Sequence, residues 1–254
     1  MSDHQELPTP KLRHARRHLL KVGSIGLAAF LAKLLKPRPA SATQICFLRG
    51  TMIRTAIGDR RVEDLVPGDL LPTVFGGTQP IQWVGRYPYK RSDRTKPWVK
   101  SALPVRIAAS ALAPNVPHSD LLMTQTHALL VDGVRIKAGT LINGRTITLY
   151  EAEELDELEY FHIKLENHDV IYAEGAPCET LWRVSEAAVN FADYYRQYGT
   201  PKTAPASCAP LLDYNGGLSM IRSHLRSAFA PWIDRRQPID IIRDRIEERA
   251  LLSD

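Results

Sequence analysis

Three groups of side chains in this chain of 254 residues have the types and spacing that covalent chemistry needs. The first is Cys46, a lone thiol set directly ahead of a strand, a turn and a second strand in CFLRGTMIRTAIGDRRVEDLVPGDL, from Cys46 to Leu70. A cysteine so placed is a candidate nucleophile, and its thiolate is the reactive form. The second is Thr124-Gln125-Thr126-His127, a polar tetrad between two apolar runs. A Thr-x-x-His spacing lets the hydroxyl and the imidazole converge if the chain turns between them, as a proton donor and its positioning partner must. A half-buried histidine satisfied between strands would look the same. The third is His168-Asp169, which either faces the same site or forms a turn with a capping aspartate. Apart from Arg49, no Lys or Arg lies beside Cys46, so the fold itself has to activate the thiol.

The elements that must position these groups read mainly as strands. Met52, Ile53 and Arg54 alternate, Gly58-Asp59 is a turn pair, and Val62, Leu65 and Val66 lead into a turn at Pro67-Gly68-Asp69. Short apolar runs broken by Gly and Pro continue to Asp120, among them Ile81–Gly85 and Val105–Ala108, the texture of an all-β domain. The basic insert Arg86 to Lys100, with Tyr87, Tyr89 and Trp98, reads as a solvated hairpin loop, or alternatively as a surface for an anionic partner. Asp132-Gly133 predicts a hairpin, and Gly144 a turn between two further strands. Glu151 to Glu159 holds six carboxylates, expected to be a solvated face because nothing in it alternates with His or Gly at ligand spacing. Tyr160 to Leu165 is the clearest alternating strand, and a turn at Glu166–Asp169 leads from it to Val170–Gly175. After Pro177 the spacing becomes helical at Ser185–Tyr195, Gly217–Phe229 and Pro238–Leu252, the last with Ile239, Ile242, Ile246 and Ala250 on one face.

Composition bounds the function. At 44% hydrophobic and 24% charged residues the chain is long enough for a sizeable core. Its net charge of +5 is concentrated at the start: the first 42 residues carry eight Lys/Arg against Asp3 and Glu6, leaving 25 basic and 26 acidic residues for the rest. A basic leader on a nearly neutral body argues against nucleic-acid binding and for a targeting signal. Arg16-Arg17-His18-Leu19-Leu20-Lys21 resembles the twin-arginine export motif, Val22–Ala32 is a short apolar run, and Ala40-Ser41-Ala42 has the form of a signal-peptidase site, so cleavage would leave Thr43 first. A membrane-surface helix or an ordinary N-terminal arm are the other readings; eleven residues between Lys21 and Lys33 fall short of the ~20 that span a bilayer, so no transmembrane anchor is expected. Three cysteines, Cys46, Cys178 and Cys208, are too few and too far apart for a disulfide framework, and no Cys-x-x-Cys pair points to zinc. No metal or other cofactor is expected, although a site from Cys46, His127, His168 and Cys178 is a low-ranked alternative.

Taken together, Cys46, the Gly50-Thr51 pair and Val62-Glu63-Asp64-Leu65-x-x-Gly68-Asp69 resemble the opening of the hedgehog/intein (Hint) autoprocessing domain. Thr124-x-x-His127 matches the Thr-x-x-His that lies beside the first cysteine in that family. His168-Asp169-Val170-Ile171-x-Ala173-Glu174-Gly175 and Cys208-Ala209-Pro210-Leu211 are similar to a bacterial branch of it, so the resemblance covers Ile45 to about Arg226. It implies a mainly β fold, a Hint-type horseshoe of many short antiparallel strands with a helical C-terminal tail. The expected organisation is a leader at 1–42, a Hint domain at 43–180 and a helical extension at 181–254.

The resemblance also implies a reaction, with the chain's own N-terminal segment as substrate. Cys46 would attack the carbonyl of Ile45 and form a thioester, His127 would protonate the departing nitrogen, Thr124 would hold that amide, and His168 and Asp169 would face the site. Two departures stand out. Inteins end in His-Asn, whereas Glu179-Thr180 stands in that place and offers no asparagine to cyclise, so splicing is not expected. Ile45, β-branched at the scissile position, should crowd the carbon under attack and slow hydrolysis. The expected partners are signal peptidase and the twin-arginine translocase, and the expected location is outside the cytoplasm, periplasmic or extracellular. A catalytically dormant Hint-fold scaffold is the competing function.

Overall fold

Two hairpins are closed by residue pairs with a left-handed backbone. In the computed structural model, which describes residues 45–91, 93–182, 191–199, 206–212, 218–230 and 236–252, Asp132 and Gly133 have φ of 51° and 78°, and Glu174 and Gly175 have φ of 48° and 78°. Positive φ at both central positions is the type I′ turn, whose twist matches that of paired strands. Asp132-Gly133 joins β8 (Ala128–Val131) to β9 (Val134–Lys137), as expected from sequence. Glu174-Gly175 joins β12 (Val170–Ala173) to β13 (Ala176–Glu179). A glutamate is an unusual occupant of this conformation. It is held there because its Oε1 accepts the Met52 N–H at 2.6 Å and its own N–H donates to Met52 O at 2.8 Å.

The remaining strands are β1 (Phe47–Leu48), β2 (Met52–Thr55), β3 (Gly58–Arg61), β4 (Leu70–Pro72), β5 (Thr78–Lys90), β6 (Val105–Ile107), β7 (Leu121–Met123), β10 (Ile147–Leu149), β11 (Glu157–Leu165) and β14 (Leu211–Leu212). They form two seven-stranded sheets, ordered β10-β6-β7-β1-β11-β5-β4 and β14-β9-β8-β13-β12-β2-β3, antiparallel except for the parallel β14–β9 pair. The fold is mainly β, with many short strands and few helices, as the sequence implies.

Strand β1 is only two residues long, yet it lies between β7 and β11. Its register pairs Phe47 with Met123 on one side and with Phe161 on the other, and Leu48 with Tyr160. Directly opposed residues of an antiparallel pair point to the same face. Phe47, Met123, Phe161 and Ile163 therefore enter the main core, which also takes Ile53, Ile171 and Cys178 from the other sheet. Cys46, Leu48, Leu158 and Tyr160 pack on the opposite face with Trp98 and Leu103.

Two loop expectations change. Residues 86–90 are not a solvated loop but the end of β5, paired with β11 from Glu157↔Lys90 onward. Beyond them Trp98 is buried, its Nε1–H donating to Ala152 O at 2.9 Å with the Arg91 guanidinium 4.7 Å over its ring. In the acidic run, Glu159 is buried rather than solvated, because Arg49 and Arg86 both bind its carboxylate.

Three helices complete the described chain: α1 (Ala192–Tyr198), α2 (Leu218–Phe229) and α3 (Pro238–Leu252). Helix α1 covers the end of the helix expected at Ser185–Tyr195 and continues to Tyr198, before Gly199, φ 71°; 183–190, with Asn190, lie outside the described residues. Helix α3 buries Ile239, Ile242, Ile246 and Ala250, the face expected from sequence, and its three isoleucines join the main core. At ~1.5–3 kcal/mol for each buried isoleucine, an upper bound, that face is a substantial anchor. Asp240 is buried at its start and is held by Ser223 and by Arg226 of α2 at 2.6 and 2.9 Å. The leader at 1–42 lies outside the described residues. Among the described residues no helix is long and apolar enough to cross a membrane.

Candidate functional site

The register of β1 locates the site. Extending both pairings by one residue sets Cys46 opposite Thr124 on the β7 side and opposite His162 on the β11 side. The contacts agree. The Cys46 N–H donates to Thr124 Oγ1 at 3.1 Å, and the Thr124 N–H donates to Cys46 O at 3.0 Å. The Cys46 sulfur lies 3.4 Å from both ring nitrogens of His162. His162 Nδ1 is also 2.7 Å from the carbonyl oxygen of Ile45, the residue before the thiol. A carbonyl only accepts, so Nδ1 carries the proton in the neutral ring and Nε2, 3.4 Å from the sulfur, is left as its acceptor. One imidazole thus touches both the sulfur and the carbonyl that the sulfur would attack.

His127 reaches the same residue through a turn. Its N–H donates to Thr124 O at 3.0 Å, closing Thr124-Gln125-Thr126-His127 and bringing the imidazole back beside Thr124. Its Nδ1 is 3.1 Å from Cys46 O and its Nε2 is 2.9 Å from Glu179 O. Both partners are carbonyl oxygens, so the two contacts are satisfied together only by the doubly protonated ring. Burial opposes that charge and holds the His127 pKa below its ordinary value, although the Glu179 carboxylate and the two carbonyls push it up.

Glu179 anchors this arrangement from behind. Its Oε1 accepts the Ala128 N–H at 3.0 Å, and its Oε2 is held by the Arg135 guanidinium with His168 Nε2 at 3.7 Å. Burial works against its charge, but His168, His127 and Arg135 together keep its carboxyl below the usual range. Arg135, itself buried, also donates to Ala209 O at 3.0 Å and to Ser207 Oγ at 2.6 Å.

The electrostatics at the thiol are those of a dry site. Cys46 is 1% exposed, and burial pushes its thiol well up. His162 is drawn down to about 4, chiefly by burial, with the hydrogen bond to Ile45 O opposing and His127 adding to the fall. At neutral pH the thiol and His162 are therefore both uncharged.

Of the residues singled out from sequence, Cys46, Thr124 and His127 converge. The structure places His168 and Asp169 differently. His168 stacks on Trp182 with ring centres 5.6 Å apart, and its Nδ1 accepts the Cys208 N–H at 3.2 Å. It faces Glu179, one layer behind His127, and not the thiol. Asp169 caps the turn between β4 and β5: its Oδ2 accepts from Thr73 Oγ1 at 3.0 Å and Gln79 Nε2 at 2.8 Å, and its Oδ1 from the Phe75 N–H at 3.1 Å. The reason is position: the turn after Leu165 carries the chain out of the sheet that holds β1 and into the other sheet, where β12 pairs with β13 and β2. Among the described residues no three or more His, Cys, Asp or Glu are arranged to hold a metal ion, and Cys46, Cys178 and Cys208 are all free thiols.

His162 was not readable as a site residue, although it lies in the clearest strand of the sequence. A histidine within the alternating strand Tyr160–Leu165 was the available signal. What it faces is decided by the pairing with β1, more than a hundred residues away.

A family model for the Hint domain matches residues 45–185. The chain belongs to the Hint domain family. The match begins one residue before the thiol, which places Cys46 at the start of the Hint domain, the autoprocessing fold of hedgehog proteins and inteins. Solved structures similar to this Hint domain include a bacterial intein-like domain from Clostridium thermocellum, 14% identical over 54% of this chain and 99% of that one, TM-score 0.39. The gp41-1 intein is 14% identical over 52% and 97%, TM-score 0.36. A DnaB intein from Synechocystis is 12% identical over 53% and 97%, TM-score 0.36. Among curated proteins no relative matches the sequence.

Proposed function

We propose that this Hint domain processes its own chain by a thioester at Cys46. The sulfur adds to the Ile45 carbonyl carbon while the thiol proton passes to Nε2 of His162, and the Nδ1–H of the same ring holds the oxygen as charge grows on it. The bond from that carbon to the Cys46 nitrogen then breaks. The nitrogen, held by Thr124 Oγ1, takes up a proton, and His127, whose Nδ1 is 3.1 Å from the carbonyl oxygen of Cys46, is the acid that supplies it. One proton leaves sulfur and one reaches nitrogen, so the thioester is an isomer of the peptide. Water or a thiol then attacks the same carbon, the carbon–sulfur bond breaks, and sulfur regains its proton. Each step uses groups of the chain itself.

The observation that carries this reading is the shared imidazole, with Ile45 O at 2.7 Å and the Cys46 sulfur at 3.4 Å. The substrate is the segment ahead of Cys46. The leader, with Arg16-Arg17, addresses the chain to the twin-arginine translocase, signal peptidase removes 1–42, and the domain at 43–180 with its extension works outside the cytoplasm.

The C-terminal side stays attached. Thr180, in the place of the intein asparagine, accepts the Asp169 N–H at 3.2 Å and donates both its hydroxyl, at 3.0 Å, and its N–H, at 2.9 Å, to Asp169 O. A hydroxyl cannot form a succinimide, and this one is fully engaged.

The dormant-scaffold reading draws on one observation, the burial of a thiol whose pKa is raised. Incubation with hydroxylamine or dithiothreitol, followed by intact mass and N-terminal sequencing, separates the two. Autoprocessing gives a product that begins at Cys46 and ends at Asp254, absent from Cys46→Ala. An unchanged mass and N-terminus in the wild type would leave the scaffold, and a fragment beginning near Leu181 would overturn the account of the C-terminal side.

A further inference from the structure

The residue ahead of the thiol does not sit in solvent. Ile45 is half-buried against an apolar cluster of Trp83, Leu181, Phe191 and Tyr194, each no more than 6% exposed. Two of these, Phe191 and Tyr194, belong to α1 and its first turn, beyond the end of the Hint match at residue 185. Phe191 lies over the ring of His162, centres 5.0 Å apart, and beside Trp83 at 5.7 Å. Tyr194 meets Trp83 edge-on at 5.5 Å, and Tyr198, tilted against Tyr194 with ring centres 5.0 Å apart, donates its hydroxyl to Gln82 O at 2.7 Å. Helix α1 is therefore fastened to β5 at two points while its first aromatic ring covers the imidazole that serves the scissile carbonyl.

We infer that Phe191 and Tyr194 complete the site from outside the Hint domain, as an apolar subsite for the side chain at position 45 and a shield that keeps water from the thioester. The inference rests on the autoprocessing reading. The branched side chain of Ile45 packs against this cluster, and a charged group there would lose its hydration without gaining a partner. The same rings exclude water from the Ile45 carbonyl, so cleavage depends on a nucleophile able to enter past α1. Selection and shielding are thus performed by one cluster.

The test measures Cys46-dependent cleavage with hydroxylamine, with a bulky thiol such as glutathione, and in water alone. It compares the full chain with Phe191→Ala/Tyr194→Ala and with the milder Phe191→Leu. Each is also made with Ile45→Val, Ile45→Gly and Ile45→Asp. The expected result is that the double variant raises cleavage by water and by glutathione at least tenfold more than cleavage by hydroxylamine. The preference for Ile and Val over Asp at position 45 should shrink by a similar factor, with Phe191→Leu intermediate. Cleavage by the double variant alone, with the wild type inert, would support the shield. Equal selectivity and equal water-to-hydroxylamine ratios in all three proteins would overturn the inference and leave autoprocessing standing. Absence of Cys46-dependent cleavage everywhere would remove both.

Discussion

Replacing His162 is the sharpest test of the site, because two separate functions meet on one ring. Its Nε2 faces a thiol that burial holds protonated, and its own pKa is about 4. Against even an ordinary thiol at about 8.5, a complete proton transfer to such a base costs ~6 kcal/mol. A free thiolate–imidazolium pair is therefore a negligible fraction of the resting site, and the proton must move as the carbon–sulfur bond forms. A positioned base contributes roughly a hundred- to ten-thousandfold, and a single donor to a developing oxyanion about a hundred- to a thousandfold. Effects on one residue do not simply multiply. His162→Ala should thus slow hydroxylamine-driven cleavage before Cys46 by at least about a thousandfold, or ~4 kcal/mol of barrier. His162→Gln, whose amide can still donate to Ile45 O but cannot take the thiol proton, should recover part of that loss. The assay is the time course of intact mass, with circular dichroism to verify the fold. Cleavage by a folded His162→Ala protein within tenfold of wild type would refute the role of the ring.

The same geometry and the leader motif fix three further outcomes. His162 has a folded pKa of about 4 against an ordinary ~6.5, so the unfolded chain binds the extra proton between those values. Stability should fall from pH 6.5 towards 4, by up to ~3 kcal/mol from this group, and be unaffected by it above pH 7. Urea midpoints at pH 7.5 and 4.5 for wild type and His162→Leu measure this, and an equal acid loss in both would contradict it. Glu179→Gln leaves the buried Arg135 without its carboxylate and should destabilise by about 3–5 kcal/mol; a loss under about 1 kcal/mol in urea unfolding would show that Ser207 and the Ala209 carbonyl suffice. The leader carries a receptor-read motif, so Arg16→Lys with Arg17→Lys should leave the protein in the cytoplasm on fractionation; export at the wild-type level would remove that assignment.

What could be read from the sequence divides along the range of the interaction. The Asp132-Gly133 hairpin, the face of α3 and the convergence of Thr124 with His127 are local: each is decided within a few residues by turn chemistry or periodicity. Membership of the Hint family was legible because the neighbours of Cys46 repeat that family's opening motif. His162 was not, because its partner is fixed by the β1–β11 register, and a shift of one residue would have turned it to the opposite face. His168 and Asp169 show the converse. Their local pattern matched the bacterial branch, yet tertiary contacts place one on Glu179 and the other on the β4–β5 turn. Arg86–Lys90 misled for a related reason: a basic stretch with two tyrosines and a proline reads as a loop, whereas β11 supplies a partner for each of its residues.

The absence of charge around the thiol is informative about the kind of reaction the site can support. An enzyme that attacks a diffusing substrate has to keep its thiol accessible and partly ionised, which calls for a cation or an open cleft. Here the thiol is 1% exposed, His162 is neutral above about pH 4, and the carboxylate of Glu179 lies one layer away, paired with Arg135. These conditions suit a reaction in which attacker and target are adjacent in one chain. The carbonyl of Ile45 arrives already aligned, so the entropy of bringing two molecules together is not spent at the moment of attack. Reactant and thioester are both neutral, and only the transition between them carries charge, against the Nδ1–H of His162. Burial that would silence an ordinary cysteine hydrolase is therefore compatible with an intramolecular acyl shift. Under the proposed autoprocessing, the same burial would move the slow step to the entry of the nucleophile that resolves the thioester.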